Sequence, residues 1–351
     1  MTKREFIETV VVTGASAGVG RSVAVAFGRR GCKVALIARG REGLDSTRRE
    51  IVRLGGEALV IEADVADAQA MVAAAARVEA ELGPIDLWIN NAMVTVYGAS
   101  VDLSPEEFLQ VTRVSYLGQV HGTLAALRHM RPRDRGAIIS IGSALAYRSI
   151  PFQAPYCAAK AATRGFIDSL RSELEAENSA ITLTMVHLPA VNTPQFDWAR
   201  NKFQHKPAPV APIYQPEAIA AAVVRAAEHA PREYWVGSSA VKAILGQMLM
   251  PSVVDRILAK AGVGNETGDE PDDPNRADNL FAAGPGDPGA HGRFDRRSSA
   301  AAFPFNPTLL RAGVALGAAA AGLALLAAVV RSERRGSALR SSPRLITSSA
   351  R

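Results

Sequence analysis

The chain is short of the residues that hold small or metal-built proteins together. Its two cysteines, Cys32 and Cys157, allow no disulfide framework, and with six histidines at scattered positions they form no metal-ligand cluster. An excess of one charge is missing from most of the chain. Residues 1–298 carry 33 basic and 33 acidic side chains, and the net +6 lies wholly in the last 53 residues, where seven arginines stand against Glu333 alone. A nucleic-acid binder presents its basic patch on the folded part, so that class of partner is excluded. A long apolar run is also missing near the N-terminus: Val10–Val12 is too short for a signal-peptide core. The expected setting of the folded part is therefore the reducing cytoplasm.

What is present is ample material for a core, with 48% hydrophobic residues. Apolar runs of strand length (8–13, 33–38, 58–62, 86–90, 136–141, 182–188 and 234–236) alternate with helical patterns near 18–30, 41–55, 67–82, 104–130, 155–177 and 216–229. Strands rich in Val, Ile and Leu with little alternation are buried on both faces. The order predicts an α/β fold with a doubly wound parallel sheet of about seven strands, of Rossmann type. Residues 1–262 are expected to form this domain. The Gly/Pro/Asp-rich stretch 263–308 reads as a flexible linker. Residues 309–331 are a candidate transmembrane or membrane-inserted helix, and 332–351 a basic tail. Ala312–Val330 holds 19 residues without a charge, a helix of about 28 Å against a hydrocarbon core of roughly 30 Å. With nine Ala and three Gly it is only weakly apolar, and an Ala-rich surface helix is the alternative.

Thr13-Gly14-Ala15-Ser16-Ala17-Gly18-Val19-Gly20 lies between the first strand and the first helix. Such a loop lets backbone approach a pyrophosphate at a helix N-terminus, which makes Gly14, Ser16, Gly18, Val19 and Gly20 candidate cofactor contacts. The second strand ends in Ala38-Arg39-Gly40-Arg41. A carboxylate there would hold an adenosine 2′-hydroxyl, whereas guanidinium groups suit a 2′-phosphate. Arg39 thus favours NADP(H) over NAD(H). Tyr156 and Lys160 stand four apart, on one face of the predicted helix. An ammonium beside a phenol lowers the phenol's pKa. Ser143 follows the fifth strand at the carboxyl edge, where open α/β sheets bind ligands.

Together these residues resemble the short-chain dehydrogenase/reductase family, over roughly two-thirds of the chain. The resemblance implies Ser143, Tyr156 and Lys160 as the catalytic group, with Tyr156 exchanging a proton with the substrate oxygen. Lys160 would hold the nicotinamide ribose and Ser143 the substrate oxygen. Asp64 and Val65 would hold adenine, Asn91 and Ala92 would line the cofactor, and Pro189, Val191 and Thr193 would flank the nicotinamide. Ser115 stands where the family has an asparagine of the proton relay, so a longer or slower relay is implied. Met93 and Ala190 replace family glycines. The implied reaction is hydride transfer between NADP(H) and a carbonyl/alcohol pair, in a dimer or tetramer. Aromatic residues over 193–215 suit an apolar small-molecule substrate. A catalytically impaired nucleotide-binding scaffold, tethered to a membrane, is the alternative.

Overall fold

In the computed structural model, eight strands make the central sheet: β1 (Thr9–Thr13), β2 (Lys33–Ala38), β3 (Glu57–Glu62), β4 (Leu87–Asn90), β5 (Ala137–Ser143), β6 (Thr182–Leu188), β7 (Glu233–Val236) and β8 (Pro304–Phe305). Their order is β8-β7-β6-β5-β4-β1-β2-β3. Seven run parallel, and β8 pairs antiparallel with β7. The chain leaves β1 toward β2 on one side and returns to β4 on the other, so the crevice between the ends of β1 and β4 is the topological switch point. The described residues are 7–262, 264, 266–308, 310–314, 316, 317 and 323.

Both sheet faces are covered, as the unbroken apolar strands require. Val10, Val12, Leu36, Ile89 and Ile139 pack under α1 (Gly18–Gly28) and the neighbouring helices, while Val11, Ala35, Ile37, Trp88 and Ile138 belong to the opposite core. In chain order there follow α2 (Arg41–Arg53), α3 (Ala68–Glu81), α4 (Pro105–Thr112), α5 (Gly118–Met130), α6 (Ala154–Ala176), the single turn α7 (Gln195–Trp198), α8 (Pro216–His229), α9 (Gly237–Leu249) and α10 (Pro251–Ala261). α4 starts at a capping box: Ser104 Oγ accepts from Glu107 N (3.3 Å) and Glu107 accepts from Ser104 N (2.9 Å).

Two expectations need correction. The helical pattern over 104–130 is not one helix, because a π-turn at Arg113–Leu117 divides α4 from α5. There Ser115 reaches the backbone of Val94, and a Cβ on Gly118 would sit 2.6 Å from Val65. Nor is 263–308 a free linker. Residues 1–305 form one compact unit and 306–351 a second. Thr267–Pro271 pairs antiparallel with His205–Pro207, Leu280 is fully buried, and Phe305 meets Trp235 at 5.9 Å. Composition suggested a linker because the few apolar residues here are widely spaced and their partners lie elsewhere in the chain. The candidate membrane segment 309–331 and the tail 332–351 lie almost wholly outside the described residues. Among the described residues no helix is long and apolar enough to cross a membrane.

Candidate active site

The loop after β1 is built by its glycines and by a neighbouring asparagine. Gly14 adopts φ +68°, and a Cβ there would lie 2.8 Å from Ala92 Cα. Asn91 Nδ2 donates to Thr13 O (3.0 Å) and Gly14 O (3.3 Å), while Thr13 Oγ1 accepts from Asn91 N and Ala92 N. The carboxyl ends of β1 and β4 are thereby locked together. Gly14, Ser16, Gly18 and Val19 line a cavity of about 610 Å³ with Arg39, Asp64, Val65, Asn91 and Ala92. Gly20 does not face it. A Cβ on Gly20 would be 2.1 Å from Gly14 O, so its part is to let α1 close against the loop.

The other half of the same cavity holds Ser143, Tyr156 and Lys160, with Pro189, Val191 and Thr193 beyond them. Ser143 ends β5, and its Oγ accepts from Leu145 N (3.1 Å). Tyr156 and Lys160 lie one turn apart on α6. Lys160 is 1% exposed and donates to Ile141 O (2.7 Å), with its Nζ 5.6 Å from the Tyr156 ring centroid. Burial pushes Lys160 down to about 7. Burial also raises Tyr156, and the Ser143 hydrogen bond only partly offsets it. The Lys160 amine is directed at the Ile141 carbonyl.

Ser115 departs furthest from its expected place. It is fully buried, donates to Val94 O (2.7 Å) and accepts from Val94 N (3.0 Å), and it does not line the cavity. It tethers the segment after β4 through both backbone groups of Val94. Ser115→Ala is expected to cost about 1–3 kcal/mol of stability by stranding buried backbone groups, with kcat unchanged. Chemical denaturation and steady-state rates measure the two.

Arg39 sits at the rim with one guanidinium nitrogen 2.6 Å from Asn279 O and the other 3.5 Å from Leu280 O and 3.9 Å from Asp64. Two of its five N–H donors are engaged, which leaves the rest for an anion. The segment 279–289 crosses this rim, and Gly18 N donates to Gly289 O (3.1 Å). Asn279, Ala283, Gly284, Gly286 and Pro288 all line the cavity. The motifs did not indicate them, nor Tyr97, Gln153 and Glu266, which line it near the catalytic helix. Gln153 is the N-cap residue of α6, just before the helix that carries Tyr156.

The short chain dehydrogenase family model matches residues 8–203. The uncharacterized oxidoreductase YxnA of Bacillus subtilis is 32% identical over 281 residues, 80% of this chain and 79% of that protein. Dehydrogenase/reductase SDR family member 7B of Bos taurus is 35% identical over 180 residues, and the match spans only 55% of its length. Among solved structures, a variant of actinorhodin polyketide ketoreductase with NADPH is 29% identical at a TM-score of 0.57, covering 63% of this chain and 90% of that one. A metagenomic short-chain oxidoreductase in complex with NADP is 29% identical at a TM-score of 0.54, covering 64% and 91%. With the seven parallel strands, the glycine loop at the switch point and the serine, tyrosine and lysine on one cavity, the chain belongs to the short-chain dehydrogenase/reductase family and is an oxidoreductase.

Proposed function

We propose that the protein interconverts a carbonyl and a secondary alcohol on an apolar small molecule, using NADP(H) in preference to NAD(H). The observation that carries this reading is the shared cavity, with the glycine loop and Arg39 at one end and Ser143, Tyr156 and Lys160 at the other. The nucleotide fits the residues present: the glycine-rich loop at the N-terminus of α1 allows close backbone approach, and Arg39 keeps free donors for a 2′-phosphate. When bound, the nicotinamide supplies or takes the hydride. Ser143 then holds the substrate oxygen, and Tyr156 gives it a proton. A phenol carries its proton through the neutral range, so Tyr156 has one to give to a carbonyl oxygen in reduction. Lys160, held by Ile141 O, has further N–H donors for the ribose hydroxyls.

Purified protein is expected to oxidise NADPH faster when an apolar ketone is added, followed by nicotinamide absorbance. A panel in which no ketone accelerates oxidation would overturn the reading and favour the impaired scaffold. Arg39→Ser is expected to weaken NADPH binding by about 10- to 100-fold, the loss of one charge-assisted contact, while NADH binding changes little. Equal losses for both nucleotides would assign the 2′-phosphate elsewhere. The reading extends to a cytoplasmic catalytic domain, self-association through α5 and α6, and membrane association through 312–330, which is the family resemblance and the tail composition carried forward.

A further inference from the structure

Glu266 is a buried carboxylate, 4% exposed, that no cation neutralises among the described residues. Two other buried glutamates differ from it. Glu107 is held by Arg200, Lys202 and Ser104 N, and Glu233 by the Tyr147 hydroxyl and Trp235 Nε1. The Glu266 carboxylate has Gln153, whose Nε2 donates to it at 3.0 Å. Gln153 is in turn oriented by Thr95 Oγ1 at 3.5 Å from its Oε1, so its amide cannot turn away without losing both contacts. Backbone pairing fixes the acid in place: Ala208 N donates to Glu266 O (3.0 Å), at the start of the ladder between Thr267–Pro271 and His205–Pro207.

The carboxylate lines the same cavity as Tyr156 and Tyr97. Leu145, Ile150, Phe196, Val210 and Leu258 give the cavity wall apolar surface, and Arg148, Gln195 and Lys242 line it as well. Burial pushes Glu266 up to about 7, the cost of a buried acid with a single neutral donor. Such a group is stabilised by a ligand that brings a donor of its own, and a site built around a polar contact rejects ligands that lack it.

The geometry points to Glu266 as a specificity-determining residue that accepts a hydrogen bond from a donor, an ammonium or a hydroxyl, carried by the apolar body of the substrate away from its reacting carbonyl. This rests on the proposed reaction and names its substrate class more narrowly.

The test uses three ketones with one apolar skeleton, ending in a methyl, a hydroxyl or an ammonium group, at pH 8. The full-length wild type, Glu266→Gln and Glu266→Leu are compared by kcat/KM with NADPH and by calorimetric binding of each ketone to the NADP-loaded protein. Wild type is expected to favour both donor-bearing ketones over the methyl ketone by about 10- to 100-fold. Glu266→Gln, nearly isosteric, keeps the preference for the hydroxyl and loses that for the ammonium. Glu266→Leu loses both. If it fails to fold, the ammonium selectivity of Glu266→Gln decides alone. One ranking shared by wild type and variants overturns the inference while the reaction stands. Donor-selective binding without reduction of any ketone overturns the reaction and leaves the inference standing.

Discussion

Replacing Tyr156 by phenylalanine is expected to lower kcat/KM for carbonyl reduction by about 10²- to 10⁴-fold, the range for loss of a positioned general acid. The substitution removes one oxygen and leaves the ring, which packs against the core lined by Ala159 and Val114. Neither Lys160, tied to Ile141 O, nor Ser143, tied to Leu145 N, depends on the phenol for its position. NADPH affinity is therefore expected to stay at the wild-type value, measured by fluorescence titration beside the steady-state rate. Ser143→Ala in the Tyr156→Phe background is expected to add little, because groups serving one oxygen act as a unit. Equal rates in wild type and Tyr156→Phe, with NADPH still bound, would remove the tyrosine from the chemistry.

Chains ended after residue 262 and after residue 305 are expected to behave very differently. The shorter one loses Leu280, which is fully buried with Ile37, Ile61 and Val65, and the edge strand β8. It also loses the Arg21–Asp287 pair (2.5 Å) and the Arg200–Asp278 pair (2.8 Å). Leu280→Ala alone is expected to cost about 2–5 kcal/mol, a fall in Tm on the order of 10 °C. The chain ending at 305 keeps all these contacts and is expected to melt and turn over as the full-length protein does. Calorimetry of the three proteins measures this. The same 305 truncation reads the membrane proposal: pelleting with membranes that is lost with the tail supports it, and full-length protein left in the supernatant overturns it.

The segment 279–289 is held at the cavity rim by Arg39, which donates to Asn279 O, and by Gln110, whose Nε2 donates to Leu280 O at 3.0 Å. This packing of a Gly- and Pro-rich stretch could not be read from composition. Glycines such as Gly284, where a Cβ would meet Trp198 at 2.4 Å, let the segment lie close to the wall.

Much of the site was legible because its parts are local. The glycine loop is one strand–helix turn, Tyr156 and Lys160 share one helical face, and Ser143 follows the end of one apolar run. Strand boundaries were legible for the same reason, since burial on both faces leaves unbroken Val and Ile runs. The contact of Ser115 with Val94, 21 residues away in the chain, was not legible, since no spacing in the sequence records it. Gly20 was read as a cofactor contact, whereas its missing side chain serves the approach of helix to loop.

The sequence by itself determined the parallel α/β sheet, which follows from the periodicity of its apolar runs, while Ser143, Tyr156 and Lys160 were singled out by the resemblance to the short-chain dehydrogenase/reductase family. Tertiary structure alone decided that 266–305 belongs to the catalytic unit, that Arg39 shares its guanidinium with Asn279, and that Glu266 lines the cavity with Gln153 and, among the described residues, no cation beside it. Those contacts join residues as much as 266 positions apart, and what makes them is the packing of a folded surface, which no local pattern encodes.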